Sequence, residues 1–411
     1  MLCRSVLFSS IALAVFALNA PAQVGAVHVV VNGMNLQAVV NGAQSGDTLL
    51  IQAGVYPGGA TIDGKGLTLA ADGPGEPLLD GGVRIANVGA GQRVVLSGMK
   101  VQGEAWTGPN TGRALAVDST AGAVRLDRCI FLGRELGHGA TLQGAPDFVA
   151  TECVFRGGSP ATWSNSLSTL RAGSGLTSSG GVVALYASQL RGASGLDAAS
   201  VSDGQAGGDA AALSGGRFHA ALSVFRGGQG GVGSGTCMFG GAGGNGLVVQ
   251  APLSARAIAS TFTKGNGAAG GPCFCILCVE GDDGVALVGP VATLAGPVTQ
   301  LELPRVARET TTVNVMVASA PGAVGFLFAS QNAAHTSNAA YNGPILVKGP
   351  YEVRTPLGAL PSGSTTLSLQ LPTLPPGVES QTWFVQALVR SPTGGAFAGE
   401  CRPLVIVDDA F

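Results

Sequence analysis

Three cysteines stand as C-x-C-x-x-C at Cys273, Cys275 and Cys278, and a fourth, Cys237, lies in an earlier glycine-rich stretch. Thiols so placed have two uses. Four thiolates can hold a tetrahedral zinc ion, or in an oxidising compartment they close two disulfides that staple the loops. A second set is cationic: Arg156, Arg191 and Arg226 each follow a large apolar residue in the similar segments VFRG, QLRG and VFRG. Guanidinium groups in a row offer bidentate contacts to carboxylate or sulfate, which implies an acidic or sulfated polysaccharide as partner. The plainer alternative is that the long stems cover apolar surface while the heads are solvated.

Such a row needs a scaffold, and the chain supplies one by repetition. VVLSGMKVQG (94–103), VRLDRCIFLG (124–133), FVATECVFRG (148–157), VALYASQLRG (183–192), FHAALSVFRG (218–227) and ARAIASTFTKG (255–265) align on a central Met, Cys or Ser. Within each, two alternating strands are separated by a two-residue break in parity, the pattern of a corner. Inward positions are then Met99/Val101, Cys129/Phe131, Cys153/Phe155, Ser188/Leu190, Ser223/Phe225 and Ser260/Phe262. A third short strand precedes five of the copies: ALAV, ATLQ, GLTS, AALS and GLVV. Three strands per repeat make a coil of a parallel β-helix. Successive anchors at 99, 129, 153, 188, 223 and 260 lie 30, 24, 35, 35 and 37 residues apart, so the rungs hold constant while the corner loops vary. Equivalent inward residues should stack about 4.8 Å apart, with Phe131, Phe155, Phe225 and Phe262 in one ladder interrupted by Leu190.

The chain opens with MLCRSVLFSSIALAVFALNAPAQ: a basic residue, an apolar run and a small-residue Ala20-Pro21-Ala22 site, which reads as a signal peptide over residues 1–22. The run is too short for a comfortable membrane span, so the expectation is an exported protein: secreted, at the cell surface or periplasmic, without a transmembrane segment. Export also favours disulfides over zinc at Cys237, Cys273, Cys275 and Cys278. With Cys3 in the leader, seven of the eight cysteines remain, an odd number. Cys129 and Cys153 stack on adjacent coils as buried thiols or a disulfide, and Cys401 is the one left over. Hydrophobic residues make up 46% of the chain, so its 66 glycines are expected to serve turns in a folded protein and not disorder. A formal net charge of -2 argues against a nucleic-acid binder. After residue 288 the coil signature stops and short alternating segments such as TTTVNVMVAS, TTLSLQL and TWFVQALVR predict a β-sandwich over 289–411, an immunoglobulin- or fibronectin-like domain and a candidate for cell-surface attachment. LPTLPPGVESQTWFVQALV resembles the C-terminal sandwich modules of exported bacterial proteins. The fold class is thus all-β: a right-handed parallel β-helix over 23–288 with a short N-terminal capping helix, followed by an antiparallel sandwich.

The opening VHVVVNGMNLQAVVNGAQSGDTLLIQAGVYPGGATIDGKGLTLAA resembles the start of the pectin-lyase-like superfamily: strand 27–31, capping helix 34–42, next strand from Gly46, then continued winding. The resemblance covers roughly residues 27–285. It implies the fold and leaves activity open, since that superfamily holds lyases, hydrolases, adhesins and structural proteins. Gly137-His138-Gly139 is similar to the Gly-His-Gly of the polygalacturonase family, which makes His138 a catalytic candidate. The chain departs from that pattern: Asn110-Thr111 is followed by Gly112 instead of Asp, and neither an adjacent Asp pair nor an Arg-x-Lys follows. GHG also stands where other repeats have GSG and GNG, as a turn would. Pectate-lyase-type elimination needs clustered carboxylates for calcium and a base. Asp127 and Glu152 lie near one corner, without a third partner, and read as solvated turn residues or as catalytic or calcium candidates. Asp203, Asp209 and Asp282-Asp283 are loop carboxylates without a full ligand set. Trp163 and Tyr186 can stack on sugar rings or finish a core. The reading is a non-catalytic β-helix protein that binds acidic glycan along its arginines, the alternative being a polysaccharide lyase or glycoside hydrolase.

Overall fold

The computed structural model describes residues 25–411, apart from 105–111, 145–146, 160–170, 199–201, 236–237, 272–278, 338–340 and 393. Each parity break in the repeat puts one residue into the left-handed region: Arg128, Glu152, Ala187, Leu222 and Ala259 have φ of 51, 51, 47, 52 and 46°. One such residue between two extended strands swings the chain through a corner and restores inward alternation beyond it. Three strands per coil result, for example Ala140–Gln143, Asp147–Thr151 and Val154–Arg156. Copies from neighbouring coils pair in parallel, giving one 16-stranded and one 8-stranded sheet. Ala211–Ala221 and Leu247–Ile258 continue from one face into the next, with a register shift at Ser214/Gly216, and so join the two faces into the larger sheet. Parallel pairing with the solenoid continues through Val291–Leu294, past the expected boundary at 288.

The inward ladder forms in register. Phe131, Phe155, Leu190, Phe225 and Phe262 are successive Cα partners. The Phe131 and Phe155 rings stack at 5.2 Å and 8°, and those of Phe225 and Phe262 at 4.9 Å and 23°, on either side of Leu190. At the corner, Ser188 Oγ accepts from the Cys153 amide, Ser223 Oγ from the Ser188 amide and Ser260 Oγ from the Ser223 amide, each at 3.2 Å. Each hydroxyl also donates to the carbonyl two residues upstream, so the small polar rung is satisfied inside an apolar core. Cys129 and Cys153 hold the same rung as buried free thiols. Helix Leu36–Gly42, capped by the Asn35 side chain on the Ala38 amide, closes the open end by burying Leu36 and Val40 in the solenoid core.

The glycines depart from expectation. Gly180-Gly181 and Gly215-Gly216 do make turns at positive φ. From residue 137 onward, however, the corner segments lie side by side in an unbroken chain of amide-to-carbonyl bonds: Gly158 to Gly137, Gly173 to Gly158, Ala193 to Gly173, Gly208 to Ala193, Gly228 to Gly208, Gly244 to Gly228, Gly265 to Gly244 and Gly284 to Gly265. Glycine recurs every third residue here, at 227, 230 and 233 and again at 240, 243 and 246. That is the period of extended three-residue helices packed too closely for side chains. A Cβ on Gly228 would lie 1.8 Å from the Ala193 carbonyl oxygen, and one on Gly244 1.9 Å from that of Gly208. The described glycines of these stretches form a packed layer, not loose loops.

Beyond the solenoid, Gln300–Glu302, Thr312–Ala318 and Ser364–Gln370 form a three-stranded antiparallel sheet. Val306–Arg308, Ala396–Val407, Ser380–Arg390, Ala323–Ser330 and Val353–Leu360 form a five-stranded one, antiparallel except for its first pair. Both feed one apolar cluster, with Val315 and Val317 from the first meeting Leu327, Val385 and Leu404 from the second. The five-stranded sheet also lies on the solenoid: Val95, Val149, Ala184 and Tyr186 pack with Phe384 and Cys401, and Leu50 and Ala70 with Val405 and Val407. Among the described residues no helix is long and apolar enough to cross a membrane.

Gly228→Ala should lower unfolding free energy by at least about 1–3 kcal/mol, the usual cost of overpacking. Gln229→Ala beside it, exposed, should stay within about 0.5 kcal/mol. Denaturant titration of both variants makes the comparison.

Candidate functional site

Arg156, Arg191 and Arg226 follow inward residues on the three-residue strands of the 8-stranded sheet, so alternation turns them outward. They are direct Cα partners on three consecutive coils, and all three are exposed. Arg191 donates to Gln189 Oε1 at 3.3 Å. Among the described residues none of the three has an ion-pair partner. Leu132 precedes the row and Thr263 follows it. Beside it on the same face runs a second row, Ile130, Val154, Gln189 and Val224, whose apolar members are half-buried. The surface is therefore three stacked cations along a partly apolar shelf.

The carboxylate candidates sit elsewhere. Asp127 is not a solvated turn residue: it is 0% exposed, its Oδ2 accepting from Arg128 Nε at 2.7 Å and Ser97 Oγ at 3.1 Å, with Arg402 Nη1 3.6 Å from Oδ1. Glu152, whose side chain is 41% exposed, pairs with Arg402 Nη2. Arg402 also meets the buried Glu400 at 3.1 Å. A guanidinium from the C-terminal region is thus inserted between two coils. Next to it, Arg125 makes a bidentate pair with Asp147 at 2.9 and 2.6 Å, and His335 Nδ1 lies 3.5 Å from the same carboxylate. Arg125 holds the Asp147 carboxyl down to about 2 against the opposing effect of burial. These five partners, Arg125, Asp147, His335, Glu400 and Arg402, escaped the sequence reading. The available signal was continuity. VVL, FVA and VVALY are apolar on both strand faces, as in parallel sheets covered on both sides, whereas QLR, VFR and TFT are not. Tyr186 belongs to this contact as well: it is fully buried beside His219, ring centroids 5.6 Å apart, and so is no sugar platform.

His138 is a corner residue. Its Nδ1 accepts from the Ser174 amide at 2.9 Å, and two and three coils on Asp209 Oδ1 accepts from the Asn245 amide and Asn245 Oδ1 from that of Val285. The same rung position is filled by side chains that cap the next coil's backbone. Burial, with Arg113 nearby, lowers the His138 pKa to about 4, so the ring is neutral at ordinary pH. Asp203 likewise caps the Phe239 amide, and Asp283 pairs with Lys264. A shallow groove of about 230 Å³ lies on the remaining solenoid face, lined by Thr141, Gln143, Thr177, Ser179, Ser214 and Gln250 without a titratable group. Among the described residues no three His, Cys, Asp or Glu side chains are grouped to hold a metal ion. Cys237, Cys273, Cys275, Cys278 and Trp163 lie outside the described residues. Cys401 is a buried free thiol, its pKa pushed up to about 12 by burial.

What the fold and these sites define is an all-β protein of stacked parallel sheets with further, mainly antiparallel sheets packed against it. No protein-family model and no curated protein matches the chain. Solved structures that align include the superoxide reductase (neelaredoxin) of Ignicoccus hospitalis, at 12% identity over 26% of this chain and 80% of that one, TM-score 0.17. The sulfur carrier protein SoxY of Chlorobium limicola f thiosulfatophilum aligns at 16% over 27% and 79%, TM-score 0.16. A cohesin module from a family 33 glycoside hydrolase of Clostridium perfringens aligns at 8% over 28% and 98%, TM-score 0.16.

Arg402→Ala would leave the buried Glu400 without its cation and Asp127 with Arg128 alone, and should cost about 3–5 kcal/mol, read by thermal unfolding. His219 supplies a pH test. Burial, with His335 and Arg256 nearby, lowers its pKa from 6.5 to about 4. The folded state therefore disfavours the proton, and stability present above pH 6.5 is lost as pH falls towards 4, by up to about 3 kcal/mol from this residue. His219→Gln should flatten that part of the Tm-versus-pH curve.

Proposed function

We propose that the chain is an exported, non-catalytic bacterial protein that holds an acidic polysaccharide on its arginine row. In this reading residues 1–22 are a signal peptide, residues from 23 to about 288 a right-handed β-helix of the pectin-lyase-like kind, and the remainder a β-sandwich. The observation that carries it is the register of Arg156, Arg191 and Arg226: exposed, one per coil, with no carboxylate partner among the described residues. Like charges about 4.8 Å apart repel, and an anionic ligand relieves that repulsion while accepting guanidinium hydrogen bonds. The half-buried Ile130, Val154 and Val224 beside the row suit the apolar face of a sugar ring. The carboxylates a lyase or hydrolase would need favour binding over catalysis by their placement, since Asp127 and Glu152 are engaged with arginines.

The test is retention and turnover of the leaderless protein on neutral, uronic and sulfated polysaccharides, with and without calcium. The expected result is retention of the acidic ones, weakening with salt, with no new reducing or unsaturated ends. Arg191→Glu, which leaves the inward rung intact, should abolish most of that retention without shifting Tm. Product formation, or undiminished retention by this variant, overturns the reading.

A further inference from the structure

The row has a spacing as well as a charge. Three arginines occupy three consecutive coils without a gap, and the row stops at Leu132 on one side and Thr263 on the other. Parallel strands set adjacent members about 4.8 Å apart, so Arg156 and Arg226 stand about twice that distance from each other. An extended pyranose chain laid along the solenoid axis advances by about one inter-strand distance per sugar. A glycan charged on every residue then offers an anion to each coil. One charged on alternate residues offers anions to Arg156 and Arg226 but leaves Arg191 facing a neutral sugar. The shelf of Ile130, Val154, Gln189 and Val224 runs parallel to the row and guides the chain in that direction, while the long arginine stems reach either edge of it.

Resting on the acidic-glycan reading, we infer that the row selects polymers bearing a carboxylate on every sugar over polymers bearing one on alternate sugars. Spacing is the discriminator, because total charge can be matched between the two kinds. Arg191 is the specificity-determining residue: only it distinguishes one anion per coil from one per two coils.

The experiment compares polygalacturonate, charged on every residue, with hyaluronan, charged on alternate residues, at equal carboxylate concentration, low ionic strength and no added calcium, by titration of the leaderless full chain. The expected result is about ten-fold tighter binding to polygalacturonate, the equivalent of one additional charge-assisted contact. Arg191→Gln should lose most of that preference by weakening polygalacturonate binding while leaving hyaluronan binding within about two-fold, and an unchanged Tm certifies the fold. Equal binding of the two polymers by the unaltered protein, or equal weakening of both by Arg191→Gln, overturns the spacing inference and leaves the acidic-glycan reading standing. Binding of neither polymer, nor of any sulfated glycan, removes that underlying reading itself.

Discussion

The parallel hydrogen-bond ladder, which stacks each coil about 4.8 Å above the last, is the constraint from which the rest of this structure follows. It makes every position a column. Apolar columns become a core, with Phe131 on Phe155 and Phe225 on Phe262, and the serine column at the corner satisfies itself because each hydroxyl accepts from the amide one coil before it. The same rule acts outside, where it lines up arginines that would otherwise avoid one another. A charged column is tolerated only where it faces water or a ligand, and this one does.

The corners show the ladder acting without regular strands. His138, Asp209 and Asn245 cap the backbone one coil on, and the glycine layer continues the bonding where side chains have no room. Short coils need only a turn there. Longer ones would leave amides and carbonyls unpaired, and stacking glycine every third residue pairs them instead.

One solenoid face is closed by the C-terminal sheets, and the closure is both apolar and ionic. Phe384 and Cys401 fill the apolar part, while Arg402 takes up Asp127, Glu152 and Glu400. Buried ions add little net stability, since desolvation offsets attraction, but each is costly to leave alone. The network therefore fixes where the C-terminal sheets sit more than how strongly. It also leaves the arginine row and the hydroxyl-lined groove as the open solenoid faces described.

The repeat, its three strands, the phenylalanine ladder, the capping helix and the outward arginine row were all legible in the residues, because period-two alternation and a recurring parity break are local signals that stacking merely copies. Partners distant in sequence were not. Asp127 read as a solvated corner residue because Arg402 is 275 positions away in the chain, and Tyr186 read as a ring free to stack because nothing local says that it is buried in the cluster that Phe384 and Cys401 join. The glycine stretches read as turns since their order comes from neighbours one coil away, not from their own conformational preference. The sequence by itself determined what repeats, for repetition is written in one dimension; only the tertiary structure decided which outward face is covered and which charges are spent on covering it, because that depends on contacts made across hundreds of residues.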